Sequence, residues 1–166
     1  MDARSRAARI KLVAFDIDGV MTDGGLHYTD DGRELKTFNV QDGFGLKLLQ
    51  QAGLELAIVT GRTSGVVAAR AADLGIEHVF QGVADKAAVV ASLLERLGLH
   101  WPECAFMGDD LIDLRVMSQC GLALAPANAR QVVRERAHAV TDSAGGHGAV
   151  REAVEFILDA QGKRET

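Results

Sequence analysis

Acidic, basic and hydroxyl side chains follow four of the apolar runs in this 166-residue chain. Five of these residues are carboxylates and two are cations, which leaves a local excess of three negative charges if the runs end in one crevice. Two carboxylates about 4 Å apart repel by roughly 4 kcal/mol at an effective dielectric near 20, so the group requires a divalent cation. An all-oxygen ligand set favours Mg²⁺, for which Mn²⁺ or Co²⁺ can substitute. The residues are Asp16, Asp18, Thr60, Gly61, Arg62, Lys86, Asp109, Asp110 and Asp113.

The spacing of Asp16 and Asp18 allows two geometries. If the chain stays extended, alternate residues point to the same side, and both carboxylates face one metal ion. If the chain turns at Gly19, Asp18 offers its backbone carbonyl to the metal instead. The residue types are compatible with both geometries.

Short apolar runs alternate with segments of helical periodicity along the chain. This alternation predicts a parallel sheet covered by helices on both faces, with ligands bound beyond the carboxyl ends of the strands. The clearest helix begins after Asp85, which can cap it. The predicted strands are residues 10–15, 56–59, 79–80, 104–107 and 122–125, and the predicted helices are residues 43–51, 64–74, 86–97, 111–119, 130–137 and 149–160.

Residues 26–38 interrupt this alternation. Two short β-rich stretches flank Asp30-Asp31-Gly32, which is typical of a hairpin turn. We expect a β-hairpin inserted after the first strand of a single domain that spans residues 1–166. The last polar residues, 162–166, are predicted to fray.

Composition excludes several classes of function. The chain has 18 Lys and Arg against 23 Asp and Glu, a net charge of −5, and so lacks the basic excess that nucleic-acid binding requires. Its apolar stretches fall well short of the about 18 residues that span a bilayer, so we expect a cytoplasmic protein without a membrane partner. Cys104 and Cys120 lack C-x-x-C spacing, which favours buried free thiols over a disulfide or a zinc site.

Four motifs occur in order at the predicted strand ends: Asp16-x-Asp18, Thr60, Lys86 and Gly-Asp109-Asp110-x-x-Asp113. Each motif alone could be a helix cap or a chance turn, but four in order indicate a functional site. Together they resemble the motifs of the haloacid dehalogenase superfamily of phosphotransferases. The resemblance covers nearly the whole chain and implies a Rossmann-like three-layer α/β sandwich around a central parallel sheet.

The resemblance gives each of the first two carboxylates a role. It implies that Asp16 is the nucleophile, which forms an aspartyl-phosphate, and that Asp18 protonates the leaving alcohol and later activates water. Dehalogenases of the superfamily lack the second Asp, because a halide leaves without a proton. Expulsion of an alkoxide gains a factor of about 10² to 10⁴ from general acid catalysis, so the presence of Asp18 favours a phosphatase.

The remaining motif residues surround the phosphoryl group and the metal. The resemblance implies that Thr60 and Lys86 hold the phosphoryl oxygens and that Asp109 completes an Mg²⁺ site with Asp16 and Asp18. Asp113, with Asp110 beside it, would orient the metal-bound waters or Lys86.

The motifs leave little room for a cap domain. About 40 residues separate Asp18 from Thr60, and 25 separate Thr60 from Lys86. A capless site is open, so neighbouring subunits must close it or the substrate must be large. An isolated two-stranded ribbon gains stability by pairing with other copies, and we therefore expect a homotetramer in which the hairpin forms contacts.

Four longer strings resemble one capless subfamily, which hydrolyses 3-deoxy-D-manno-octulosonate 8-phosphate in lipopolysaccharide synthesis. The resemblance implies that Arg62 and Arg70, with Thr60, Gly61 and Lys86, bind the small sugar phosphate, Arg70 across a subunit boundary. Arg70 could instead be a solvated helix-face cation. The strings are Asp16-Ile-Asp-Gly-Val-Met-Thr-Asp23-Gly, Asn39-Val-Gln-Asp42-Gly, Thr60-Gly-Arg62 and Gly145-Gly-His-Gly-Ala-Val-Arg151.

Three alternatives stay open at this point. The same motifs serve phosphatases of other acidic sugars, such as nonulosonate 9-phosphates. A receiver-type signalling domain also gathers acidic residues and Lys, but its phosphorylated Asp follows the third strand, whereas here the DxD motif follows the first. A noncatalytic oligomerisation module is disfavoured by the intact Asp16, Asp18, Lys86 and Asp109.

Overall fold

A computed structural model describes residues 1–164 of the chain. It contains six parallel strands in the order β5-β4-β1-β6-β7-β8, which form one sheet, and a separate antiparallel pair, β2 and β3. The strands are β1 (Leu12–Phe15), β2 (His27–Tyr28), β3 (Glu34–Leu35), β4 (Glu55–Val59), β5 (His78–Phe80), β6 (Cys104–Met107), β7 (Leu122–Ala125) and β8 (Ala139–Val140).

Seven α-helices and two short 3₁₀ turns connect these strands within the described residues. Helices α1, α2, α3 and α7 bury their apolar side chains on one face of the sheet, and α4, α5 and α6 cover the other. This arrangement confirms the predicted three-layer α/β sandwich, and residues 1–164 contain no cap domain. The helices are α1 (Ala3–Ala7), α2 (Val40–Gln51), α3 (Gly65–Leu74), α4 (Lys86–Leu97), α5 (Leu114–Met117), α6 (Gln131–Arg136) and α7 (Ala149–Ala160); the 3₁₀ turns are Trp101–Glu103 and Leu111–Asp113.

Strand β1 lies in the middle of the sheet, between β4 and β6. All four of its side chains are buried, because helices cover both faces. Its carboxyl end therefore opens at the centre of the sheet edge, where the ends of β4 and β6 lie beside it.

The start of α4 agrees with the sequence in detail. Asp85 caps the helix, and its side chain accepts a hydrogen bond from the Ala88 backbone N–H. Gly98 ends the helix in the left-handed conformation, with φ of +66°. The cap fixes the direction of the first helical residue, Lys86.

The hairpin is present where it was predicted. Tyr28 pairs with Glu34 in an antiparallel register, and Gly32, with φ of +81°, occupies the turn. The hairpin's strands are only two residues long, and they do not join the central sheet.

Several boundaries differ from the predictions. The segment predicted as one helix over residues 111–119 forms the 3₁₀ turn Leu111–Asp113 and then the short helix α5. Helix α1 and strand β8 were not predicted, because five and two residues are too short for a periodic pattern. Of the predicted frayed tail, Lys163 donates its N–H to Leu158, and residues 165 and 166 lie outside the described part.

None of the helices formed by the described residues has the length and apolar character to cross a membrane.

Candidate active site

Asp16 is the first residue after β1, and its backbone N–H donates to the carbonyl of Met107 on β6. The chain then turns at once, since the backbone N–H groups of Val20 and Met21 both donate to the Ile17 carbonyl. Of the two geometries considered for Asp16 and Asp18, the structure therefore has the one in which the chain turns rather than stays extended. The Asp16 side chain stays at the sheet edge, where the residue is 5% exposed.

Lys86 begins α4 and reaches under this edge with a side chain that is 2% exposed. Its Nζ lies 3.0 Å from Asp16 Oδ2 and 2.7 Å from Asp113 Oδ1. Burial disfavours the ammonium, but Asp16 and Asp113 outweigh it and raise the pKa of Lys86 above its ordinary value. The lysine is therefore charged and held between two carboxylates.

Asp113 is fully buried and organises the loop after β6. Its Oδ2 accepts hydrogen bonds from the backbone N–H groups of Asp109 at 3.0 Å and Asp110 at 3.2 Å. A side chain on Gly108 would lie 2.5 Å from the Asp113 Cβ, so the close approach requires glycine. Asp113 thus holds Lys86 and shapes the loop that carries Asp109.

Three carboxylates converge at the sheet edge. One oxygen each from Asp16, Asp109 and Asp113 lies within 4.8 Å of the others. Burial and the neighbouring Asp113 raise the pKa of Asp16, and burial, with the nearby Asp16 and Asp113, raises the pKa of Asp109 to about 7. Carboxylates held together against this repulsion, with oxygen ligands alone, fit a Mg²⁺ ion.

The Asp18 side chain contacts two cations and is not one of these three clustered carboxylates. Its Oδ1 accepts from Lys36 Nζ at 2.6 Å, and its Oδ2 lies 3.6 Å from Arg62 Nε. The predicted metal set of Asp16, Asp18 and Asp109 therefore differs from the clustered side chains, which include Asp113 instead. A role for Asp18 at the metal would have to use its backbone carbonyl.

Thr60 follows β4 at the same edge and is 2% exposed. Its N–H donates to Phe80, and its carbonyl accepts from Val83, so both backbone groups are fixed by the segment after β5. Gly61 is exposed directly beyond it. Because β4 pairs with β1, these residues lie next to the turn that follows Asp16.

Arg62 reaches towards the hairpin. Its Nη2 lies 3.2 Å from both carboxylate oxygens of Glu34 and 3.3 Å from the Tyr28 hydroxyl. Arg62 thus joins the loop after β4, the hairpin and Asp18 in one polar group.

The structure places Arg70 on α3, where its contacts lie outside the acidic cluster. Its guanidinium lies 5.7 Å from the centre of the Phe38 ring, and its Nη2 donates to the Asn39 carbonyl at 3.5 Å. Arg151, on α7, lies over Phe44 and pairs with Glu155 at 2.7 Å. Within one chain, neither arginine is brought to Asp16.

No role was assigned from the sequence to two charged residues with buried side chains, Lys36 and Asp42. Lys36 lies just after β3, and its contact with Glu34 follows from their i, i+2 spacing, which puts both on one side of the strand. Asp42 is 2% exposed, and its Oδ1 accepts from the Arg151 backbone N–H. No pattern along the chain links Asp42 to α7, more than 100 residues away.

The chain matches known proteins over nearly its full length. Residues 66–153 match the model of the haloacid dehalogenase-like hydrolase family. A 3-deoxy-D-manno-octulosonate 8-phosphate phosphatase of Escherichia coli is 44% identical over 98% of this chain and 86% of its own length. The crystal structure of the Yersinia pestis phosphatase of the same name has a TM-score of 0.96 at 45% identity, and covers 98% of this chain and 88% of that one.

A Moraxella catarrhalis phosphatase of this name was solved in complex with a magnesium ion, a phosphate ion and the sugar acid KDO. Its TM-score is 0.94 at 43% identity, over 96% of this chain and 91% of that one. The family match spans more than half of the chain, and the similarity to the named relatives extends over almost all of it. This chain therefore belongs to the haloacid dehalogenase-like hydrolases.

Proposed function

We propose that this protein is a Mg²⁺-dependent phosphatase that hydrolyses 3-deoxy-D-manno-octulosonate 8-phosphate to the free sugar acid and inorganic phosphate, a step of lipopolysaccharide biosynthesis. The observation that carries the proposal is the buried Lys86, which holds Asp16 at the sheet edge beside Asp109 and Asp113. The near-complete similarity to phosphatases of this name supports the choice of substrate.

The chemistry divides into two displacements. Asp16 attacks phosphorus, the bond from phosphorus to the sugar oxygen breaks, and Asp18 gives its proton to that oxygen. Asp18 then takes a proton from water, which attacks the phosphorus of the aspartyl-phosphate and releases Asp16 and phosphate. A carboxylate that approaches a phosphoryl dianion needs positive charge nearby, and Lys86 provides it.

The other residues bind and orient. Thr60 and Gly61 receive phosphoryl oxygens at the end of β4, and Arg62, whose Nε lies 3.6 Å from Asp18 Oδ2, adds a cation there. Asp16 and Asp109 would hold Mg²⁺, with the backbone carbonyl of Asp18, while Asp113 keeps Lys86 in place. The bound ion offsets the charge of the phosphoryl oxygens.

The test is Mg²⁺-dependent phosphate release from a panel of sugar phosphates, with Asp16→Asn as the blank. We expect a marked preference for 3-deoxy-D-manno-octulosonate 8-phosphate and essentially no turnover by Asp16→Asn, which keeps its shape and loses its nucleophile. Equal rates across the panel, nonulosonate 9-phosphates included, would contradict the proposed substrate. The absence of phosphate release with every divalent metal would contradict phosphatase activity.

We also propose that the protein is a single domain that assembles as a cytoplasmic homotetramer through the hairpin. Leu26, Tyr28 and Leu35 are 49%, 59% and 58% exposed, which leaves three large apolar side chains uncovered on so short a ribbon. Leu26→Asp and Leu35→Asp should give a smaller mass by light scattering, and an unchanged mass would remove the hairpin from the interface. Arg70 and Arg151, distant from the acidic cluster of their own chain, are candidates to reach a neighbour's site.

A further inference from the structure

The side chain of Lys36 is buried, although most of the hairpin is exposed. The Lys36 side chain is 2% exposed, and its Nζ lies 2.6 Å from Asp18 Oδ1 and 2.7 Å from Glu34 Oε1. A charged lysine between two carboxylates is fixed in place, and it fixes Asp18 in turn.

The other ion pair at the tip of the hairpin is of a different kind. Arg33 pairs with Asp31, and these side chains are 80% and 58% exposed. Exposed pairs contribute little to stability, whereas removal of one partner from a buried pair leaves an uncompensated charge. Of these two pairs, the Lys36 pair is the one that reaches the loop that follows Asp16.

We propose that Lys36 is a positioning residue for Asp18, so that the hairpin forms part of the active site of its own chain. The inference rests on the proposed function, in which Asp18 exchanges a proton with the substrate oxygen and with water. An ammonium only donates hydrogen bonds, so Asp18 Oδ1 is held as an acceptor and the exchanged proton resides on Oδ2. At 3.6 Å, Arg62 Nε is too far from Oδ2 to form a hydrogen bond with it.

Glu34 makes this arrangement compatible with a protonated Asp18. Its carboxylate contacts both Lys36, at 2.7 Å, and Arg62, at 3.2 Å. When Asp18 takes up the proton, both cations therefore keep a carboxylate partner. The group of two cations and two carboxylates lets Asp18 change its charge without leaving Lys36 unpaired.

The test compares phenyl phosphate with 4-nitrophenyl phosphate, which share a ring but differ in the basicity of the leaving oxygen. Proton donation contributes most to the more basic leaving group, so Lys36→Met should lower kcat/KM for phenyl phosphate by about 10- to 100-fold and for 4-nitrophenyl phosphate by less than about threefold. Because kcat/KM reports the steps up to release of the alcohol, the later role of Asp18 with water does not enter. The ratio of the two kcat/KM values also does not depend on how much of the enzyme is folded, because both values are measured on the same sample.

Two further variants sharpen the experiment. Arg33→Met removes a cation from the same hairpin without touching Asp18, and its ratio should equal that of the wild type. Lys36→Gln removes the charge but keeps a polar side chain, and it should shift the ratio in the same direction as Lys36→Met. Equal losses on both substrates, a complete loss included, would overturn the inference, whereas failure of the wild type on the sugar-phosphate panel would overturn the proposed function.

Discussion

Asp109→Asn should stabilise the protein when metal is removed by a chelator at pH 8. Burial, with repulsion from Asp16 and Asp113, raises the pKa of Asp109 to about 7 from its ordinary 3.8. The folded protein thus binds this proton more tightly than the unfolded chain does. The stability that the proton contributes is complete below about pH 4 and is lost as the pH rises to about 7, so at pH 8 the folded state bears an unfavourable charge that asparagine removes.

The size of the effect follows from the shift. A rise in the pKa of Asp109 from 3.8 to about 7 corresponds to roughly 4 kcal/mol, at 1.36 kcal/mol for each pH unit. Asp109 is partly exposed, and solvent screening reduces this to about 2 kcal/mol. For a chain of 166 residues, a change of that size raises Tm by about 4 to 8 °C.

Thermal unfolding followed by circular dichroism in EDTA measures the effect. The Tm increase of Asp109→Asn at pH 8 should become smaller towards pH 4. Added Mg²⁺ should make the wild type the more stable protein, because the wild type alone gains the full stabilisation of a bound ion. Asp110→Asn is the matched control: Asp110 is exposed and caps the Leu111 N–H at 2.7 Å, which asparagine also does. A Tm of Asp109→Asn below that of the wild type in EDTA at pH 8, or a Tm increase that does not change with pH, would refute the reasoning.

Three other perturbations have defined outcomes. Gly19→Ala, at φ of +82°, would put a Cβ onto the Asp109 carboxylate and should abolish Mg²⁺ binding measured by calorimetric titration; normal binding would contradict the geometry. Cys104 and Cys120 are buried, and burial raises the pKa of Cys120 to about 12. Both thiols should therefore react with a thiol reagent only after denaturation, and a fast reaction of the folded protein would contradict their burial. Leu93→Ala, at a fully buried position, should cost about 2 to 5 kcal/mol in chemical denaturation and leave kcat unchanged.

The architecture was predictable because it depends on local patterns. Strands β6 and β7 and helices α4 and α7 begin and end where the sequence predicts, since each combines a continuous apolar run or stripe with a clear boundary. The segment after β6 was predicted wrongly as one helix. There Asp113 accepts from the N–H groups of Asp109 and Asp110 while it holds Lys86, and these long-range and local contacts together shape a tight 3₁₀ turn.

The site residues also divide into those whose positions the sequence predicts and one, Asp18, whose side-chain position it does not. Asp16, Lys86, Asp109 and Asp113 meet because parallel strands end at one edge, a rule that needs only the order of the elements. The direction of Asp18 depends on the turn at Ile17 and on where the hairpin folds back, which no periodicity encodes. Five carboxylates were therefore predicted to share one crevice, whereas in the structure Asp18 pairs with Lys36 and Arg62 outside the cluster of Asp16, Asp109 and Asp113.

That separation changes the electrostatic argument for a metal. The three carboxylates of Asp16, Asp109 and Asp113 and the ammonium of Lys86 together have a net charge of −2 when fully ionised, which equals the charge that one divalent cation neutralises. The second group pairs two carboxylates, on Asp18 and Glu34, with two cations, on Lys36 and Arg62, and is neutral without an ion. A divalent ion is therefore needed only at the first cluster. In the proposed reaction Asp18 exchanges its proton within this second group, whose cations both keep Glu34 as a partner.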